Sequence, residues 1–185
     1  MKFTFIIGTQ SGGTSATSGI LAVNGYETFS RAPFFEAKAV RALYKKYANT
    51  KQYGLNWTFY PPTAPIPAEE MRDCLAGMVE NYYGDATRAA IKVPGAMMWH
   101  PHLIDILNIN PILVLRDSHE HSRSTARRSR DPAMAMQARR QIVTLAAQTG
   151  WPVWNFSKDA KIAELEDILG HKLPVPYFDP QRIRS

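Results

Sequence analysis

Four apolar runs without polar alternation narrow what this chain can fold into: residues 3–7 (FTFII), 89–93 (AAIKV), 112–115 (ILVL) and the shorter 153–156 (VWNF). A strand with one wet face alternates, whereas a strand covered on both faces need not, so these runs predict buried parallel strands. Helical patterns lie between them. Met71, Leu75, Met78 and Tyr82 recur at i, i+4, i+7 and i+11, and Ile162, Leu165, Ile168 and Leu169 form a second stripe that stops at Gly170. The patterning also predicts helices over about 35–47 and 132–148. Strands alternating with helices imply an α/β sandwich around a mainly parallel sheet. The 185 residues are read as a single domain. Residues 52–67, with Pro61, Pro62, Pro65 and Pro67, break the pattern as a long loop or lid, and 174–185 read as an irregular tail.

The first run leads directly into Gly8-Thr9-Gln10-Ser11-Gly12-Gly13-Thr14-Ser15 and then a helix. Gly8 and Gly13 stand five positions apart, as in G-x-x-x-x-G-K-[ST], but Thr14 occupies the lysine position. A phosphate cradle does not require that lysine. Gly12 and Gly13 can take φ > 0, which turns consecutive N–H groups inward as a nest with the positive end of the helix behind it. Thr14 and Ser15 add hydroxyls at the helix's first turn, and Gln10 and Ser11 are further loop candidates for the same ligand.

Charge points the same way. The formal charge is +6, and between positions 116 and 140 seven arginines (Arg116, Arg123, Arg127, Arg128, Arg130, Arg139, Arg140) face only Asp117, Glu120 and Asp131. Such a cluster favours a polyanionic ligand. No helix-turn-helix, zinc-finger or RNP-type motif accompanies it, so nucleic acid is not the expected partner. Cys74 is the single cysteine, residues 2–7 are too short for a signal-peptide core, and no apolar run reaches the roughly 20 residues of a membrane helix. The expected location is the cytoplasm, with no membrane span.

A second dense stretch reads Leu115-Arg116-Asp117-Ser118-His119-Glu120-His121-Ser122-Arg123-Ser124. Residues just past the carboxyl end of a parallel strand line the ligand crevice of an open sheet. Arg116, as a planar fork, and Ser124, expected at the start of a helix, are therefore candidates to grip one anionic group together.

The two stretches together resemble the P-loop sulfotransferases, which use 3′-phosphoadenosine 5′-phosphosulfate as donor. The family's first motif, approximately G-x-x-[RK]-S-G-T-[ST], is matched at Gly8, Gly13, Thr14 and Ser15; its second, L-R-D-P-R-x-x-x-x-S, at Leu115, Arg116, Asp117 and Ser124. Ile91-Lys92-Val93-Pro94 is similar to the family's strand with a lysine near its end. The resemblance implies a P-loop NTPase-like three-layer sandwich, with the loop, Thr14 and Ser15 on the 5′-phosphosulfate and Arg116 with Ser124 on the 3′-phosphate. It also implies in-line transfer of a sulfuryl group to an acceptor hydroxyl or amine, without a metal. Lys92 would neutralise the leaving oxygen, while the class of acceptor stays open.

Two positions depart from the pattern. Ser11 stands where the family places a cation, a loss of about 10²–10³ in rate if it equals deletion of an oxyanion donor. Lys92, Lys38 or an arginine of 123–130 is the expected substitute. Pro94 stands where many members carry a histidine base, which leaves Glu36 as the candidate base and Glu27 as a weaker one. Apolar neighbours such as Phe34 and Phe35 are expected to raise the Glu36 pKa; a helix-capping carboxylate is the competing role. His100 with His102 and His119 with His121 lack further ligands at metal-binding spacing and are expected at the surface or capping helices. Trp57, Phe59 and Tyr60 are candidates to shape an acceptor pocket. The alternatives are a catalytically impaired nucleotide or polyanion binder and a P-loop kinase, the latter disfavoured by Thr14 and by Arg116 preceding Asp117.

Overall fold

All four apolar runs supply strands of one sheet, with Val93 of the second lying outside the described residues. The computed structural model describes residues 1–9, 12–30, 35–53, 60–92, 101–126, 132–157 and 161–175, with Pro132, Met134 and Ala135 described in backbone only. The strands are β1 (Lys2–Gly8), β2 (Arg88–Lys92), β3 (Asn110–Arg116) and β4 (Val153–Phe156). Their order across the sheet is β2-β1-β3-β4, and every pairing is parallel. The helices among the described residues are α1 (Thr14–Val23), α2 (Lys38–Tyr47), α3 (Thr50–Tyr53), α4 (Ala68–Glu80), α5 (Pro101–Ile106), α6 (Ser118–Ala126), α7 (Pro132–Thr149) and α8 (Ile162–Leu169).

The lack of alternation has a direct cause. Phe5 and Ile7 of β1 enter one apolar cluster with Val40, Tyr44, Met71, Leu75, Leu103, Leu113 and Ile142, from α2, α4, α5, β3 and α7. Ile6, between them, enters a second cluster with Ile20, Leu21, Ile112, Val114, Trp154 and Leu165, from α1, β3, β4 and α8. Successive side chains point to opposite faces, and both faces are covered, which makes a three-layer α/β sandwich.

Several boundaries shift for identifiable reasons. The expected helix over 35–47 begins at Lys38, because Phe35 takes a left-handed φ of 52° and Glu36 pairs its backbone with Lys92 of β2. Glu27 pairs likewise with Ala89, donating its N–H to the Arg88 carbonyl at 2.9 Å and accepting from Ala90 at 2.7 Å. Within the expected loop 52–67, Gln52 and Tyr53 finish α3, and Tyr53 stacks on Tyr60 with ring centroids 3.8 Å apart. Ile66 is buried in the core, so the far end of that loop is anchored. Residues 54–59, with Trp57 and Phe59, lie outside the described residues, as do 176–185 of the expected tail.

Gly170 ends α8 in a left-handed conformation, φ 70°, and its N–H reaches the Glu166 carbonyl at 2.8 Å. Glu166 then collects the next residues, accepting from the Leu173 N–H at 2.8 Å and from Lys172 Nζ at 2.7 Å. Asn24, just past α1, makes paired bonds of 2.7 and 2.8 Å with the backbone of Val175. No helix among the described residues is long and apolar enough to cross a membrane.

Candidate functional site

The carboxyl edge of the sheet gathers most of the residues singled out by sequence. Connections leave β1 toward β2 on one side and β3 toward β4 on the other, so the crevice between the ends of β1 and β3 is the topological switch point, where open parallel sheets receive ligands. The glycine loop and α1 rise from the β1 side. The Gly12 N–H closes a turn on the Thr9 carbonyl at 3.1 Å, and Gly13 caps α1 with φ 98°. A Cβ at Gly13 would lie 2.6 Å from the Phe156 ring, and one at Gly12 2.7 Å from Thr9 Oγ1. Both glycines are thus required by space, and Gly13 also by conformation. Gly13, the N-cap residue, has no side chain to cap α1, and the first-turn N–H groups of the helix face its open end. Thr14 is buried with its methyl toward Gly8, while Ser15 is half-buried at the first turn. Gln10 and Ser11 lie outside the described residues.

Lys92, last residue of β2, is 2% exposed. Strand parity places it on the same face as Ala90, which belongs to the α1 cluster. Its Nζ donates to Ser15 Oγ at 2.7 Å and stands 3.8 Å from Glu36 Oε1. A buried ammonium is costly unless paired and hydrogen-bonded, and these two contacts help to supply both conditions. Of the described cations named as substitutes for the loop position, Lys92 meets the glycine-loop helix; Lys38 and Arg123 are exposed. Arg127, Arg128 and Arg130 lie outside the described residues, as does Pro94.

Glu36 differs from expectation in its surroundings. It precedes the helix rather than capping it, and the described charges facing its carboxylate are two cations, Arg41 Nη1 at 2.8 Å and Lys92 Nζ at 3.8 Å. Phe35 is buried, and Phe34 lies outside the described residues. Glu27 is committed locally: its carboxylate accepts the N–H of Phe29, whose φ of 49° closes a turn.

On the other side of the crevice, β3 ends at Arg116 as the sequence implies. The helix after it begins at Ser118, so Ser124 sits in its second half rather than at its start. Asp117 explains the early start by accepting N–H groups of His119 and Glu120 at 2.9 and 3.1 Å. These backbone donors, that of Glu120 foremost, hold the Asp117 carboxyl below its ordinary pKa. Arg116 Nε meets Glu120 Oε2 at 3.0 Å, and its guanidinium lies 5.7 Å from the centroid of the Phe156 ring. Glu120 and Ser124 are one turn apart, so the acid stands on the helix face that carries the serine. Arg139 of α7 donates through Nε to the Arg116 carbonyl at 3.2 Å, bringing a second guanidinium to the strand end. In the sequence, Arg139 stands out only as one member of a charged cluster.

His121 overturns its expected surface placement. It is 1% exposed, with Nε2 3.0 Å from Thr9 Oγ1, and Thr9 is itself buried. His102 and His119 are exposed, and His100 lies outside the described residues. No group of three or more His, Cys, Asp or Glu among the described residues is placed to hold a metal ion. A signal that could have marked His121 is its i, i+4 spacing from Thr125, which is buried with it on the inward face of α6.

No family model matches the chain, and no curated protein matches its sequence. Among solved structures, the crystal structure of TT1252 from Thermus thermophilus is similar over 91% of this chain and 94% of that one, with 16% identity and a TM-score of 0.51. At that identity the likeness is one of fold: the chain is a three-layer α/β protein with an all-parallel sheet over its described residues.

Proposed function

We propose that the protein is a compact sulfotransferase that moves a sulfuryl group from 3′-phosphoadenosine 5′-phosphosulfate to an acceptor hydroxyl or amine. The observation that carries this reading is Lys92, a buried cation delivered from β2 to Ser15 at the mouth of the glycine loop. It supplies the charge that Thr14 and Ser11 do not. A donor phosphate there would meet the first-turn N–H groups of α1, the Ser15 hydroxyl and the Lys92 ammonium. Arg116, Arg139 and Ser124 would hold the 3′-phosphate across the crevice.

In the transfer, the bond from sulfur to the bridging phosphate oxygen breaks as the bond to the acceptor oxygen or nitrogen forms. The electron pair leaves on the phosphate, where Lys92 offsets its charge, and the acceptor proton passes to Glu36. Positioning and charge stabilisation account for most of the acceleration in such a reaction. The second reading, a polyanion binder without turnover, draws on one observation: the Glu36 carboxylate is already engaged by Arg41 and Lys92.

Thermal unfolding with 3′,5′-bisphosphoadenosine, and separately with ATP, each with Mg²⁺ and with EDTA, tests the donor assignment. A ligand at one hundred times its Kd stabilises by about 2.7 kcal/mol. A rise in Tm with the bisphosphate that ignores EDTA is the expected result; a rise with ATP and Mg²⁺ alone would make the protein a kinase. Transfer from labelled donor in an acceptor screen then separates enzyme from binder. Glu36→Gln should keep bisphosphate affinity and lose turnover, and full turnover would reduce Glu36 to a counter-ion of Lys92.

A further inference from the structure

The crevice between β1 and β3 is spanned by one buried polar contact that none of the roles above uses. Thr9 follows β1 immediately and His121 projects from α6 after β3, so their bond joins the two stretches expected to hold opposite ends of the same ligand. Thr9 also carries the loop: its carbonyl accepts the Gly12 N–H at 3.1 Å, and its Oγ1 would lie 2.7 Å from a Cβ at Gly12. The hydroxyl that meets His121 Nε2 at 3.0 Å therefore also occupies the space that a side chain at position 12 would need. Thr9 and His121 are 2% and 1% exposed, so water does not compete for this bond, and a buried partner left behind would be costly. Farther out in α6, Thr125 donates to the His121 carbonyl at 2.9 Å, and Asp117 fixes the helix start.

We propose that His121 is a positioning residue that locks the base of the glycine loop to α6, so that the two anion-holding stretches form one preorganised unit. It touches neither donor nor acceptor and acts through Thr9. A loop held in its binding conformation before the ligand arrives avoids the ordering cost on binding. The inference rests on the donor reading only for the ligand used in the second measurement below.

The clean deletion is Thr9→Val, which keeps shape and removes the hydroxyl; Thr9→Ser keeps the hydroxyl, and His121→Gln keeps a polar group near the position of Nε2. First, amide hydrogen exchange is followed in the ligand-free protein. Thr9→Val and His121→Leu should each speed exchange at Gly12, whose N–H is bonded to Thr9, by about tenfold, the equivalent of one buried hydrogen bond. Amides of Phe5 to Ile7 should stay at wild-type rates, and Thr9→Ser and His121→Gln should restore the loop. The double variant Thr9→Val with His121→Leu should be no worse than either single change, as expected for two halves of one interaction. Second, calorimetry with 3′,5′-bisphosphoadenosine should give a Kd about tenfold weaker in Thr9→Val, recovered in Thr9→Ser. Wild-type exchange at Gly12 in Thr9→Val, or faster exchange spread equally over β1, would overturn the positioning role. So would unchanged bisphosphate affinity in that variant. Failure of the wild-type protein to bind the bisphosphate would remove the donor reading instead, and the exchange measurement would still decide the role of His121.

Discussion

Arg116 meets its crevice already engaged. Its Nε is 3.0 Å from the Glu120 carboxylate, so the 3′-phosphate of the proposed donor would have to exchange with an acid one helical turn from Ser124. Both partners are partly exposed, with side chains 21% and 30% accessible, and such pairs contribute about 0–1 kcal/mol. The exchange is therefore cheap in energy and measurable in affinity. Arg116→Ala should weaken 3′,5′-bisphosphoadenosine binding severely, whereas Glu120→Gln, by removing the competing charge, should tighten it by up to about fivefold. Titration calorimetry on both variants checks this, and an affinity loss in Glu120→Gln would mean that the acid holds Arg116 in its binding pose. At this scale the sequence was informative where a motif fixed the register, as at Gly13, Lys92 and Arg116. It was uninformative where a role depends on which face of a helix turns inward, as with His121, or on a contact between distant segments, as with Arg139 and the Arg116 carbonyl.

Among the elements, α6 depends most visibly on one carboxylate. Asp117 is ionised over its backbone donors, and its folded pKa lies below the unfolded value. The stability this cap provides is therefore fully present above the ordinary aspartate range and is lost as pH falls through the depressed folded value. Thermal unfolding of the wild type and Asp117→Ala should differ near neutral pH, and the difference should shrink in acid. A gap that stays constant with pH would separate the cap from its charge. The strands and the long helices were legible because period and composition agree, as in Met71, Leu75 and Met78 on α4. The start of α6 was not, because Asp117 reads equally well as a motif acid and as an N-cap. The start of α2 was also missed, since the backbone pairing of Glu36 with Lys92 joins distant segments and leaves no local pattern.

For the molecule as a whole, two apolar clusters share one sheet, with Phe5 and Ile7 serving one and Ile6 the other. Neither can melt without exposing the reverse side of the same strands. Leu113→Ala in one cluster and Leu165→Ala in the other should each cost about 2–5 kcal/mol and still give a single unfolding transition. Two resolved transitions would show that the layers are independent. The backbone pairing along β2 has another consequence. Glu27 and Glu36 bridge to the outer rim of the sheet, hiding strand edge that could otherwise recruit a neighbouring chain, and the second bridge also delivers the Glu36 carboxylate to Lys92. Edge protection and the placement of Glu36 beside Lys92 thus share one selvedge, so a change that loosens it should present first as aggregation and only then, in the fraction that survives, as loss of the activity proposed for that pair.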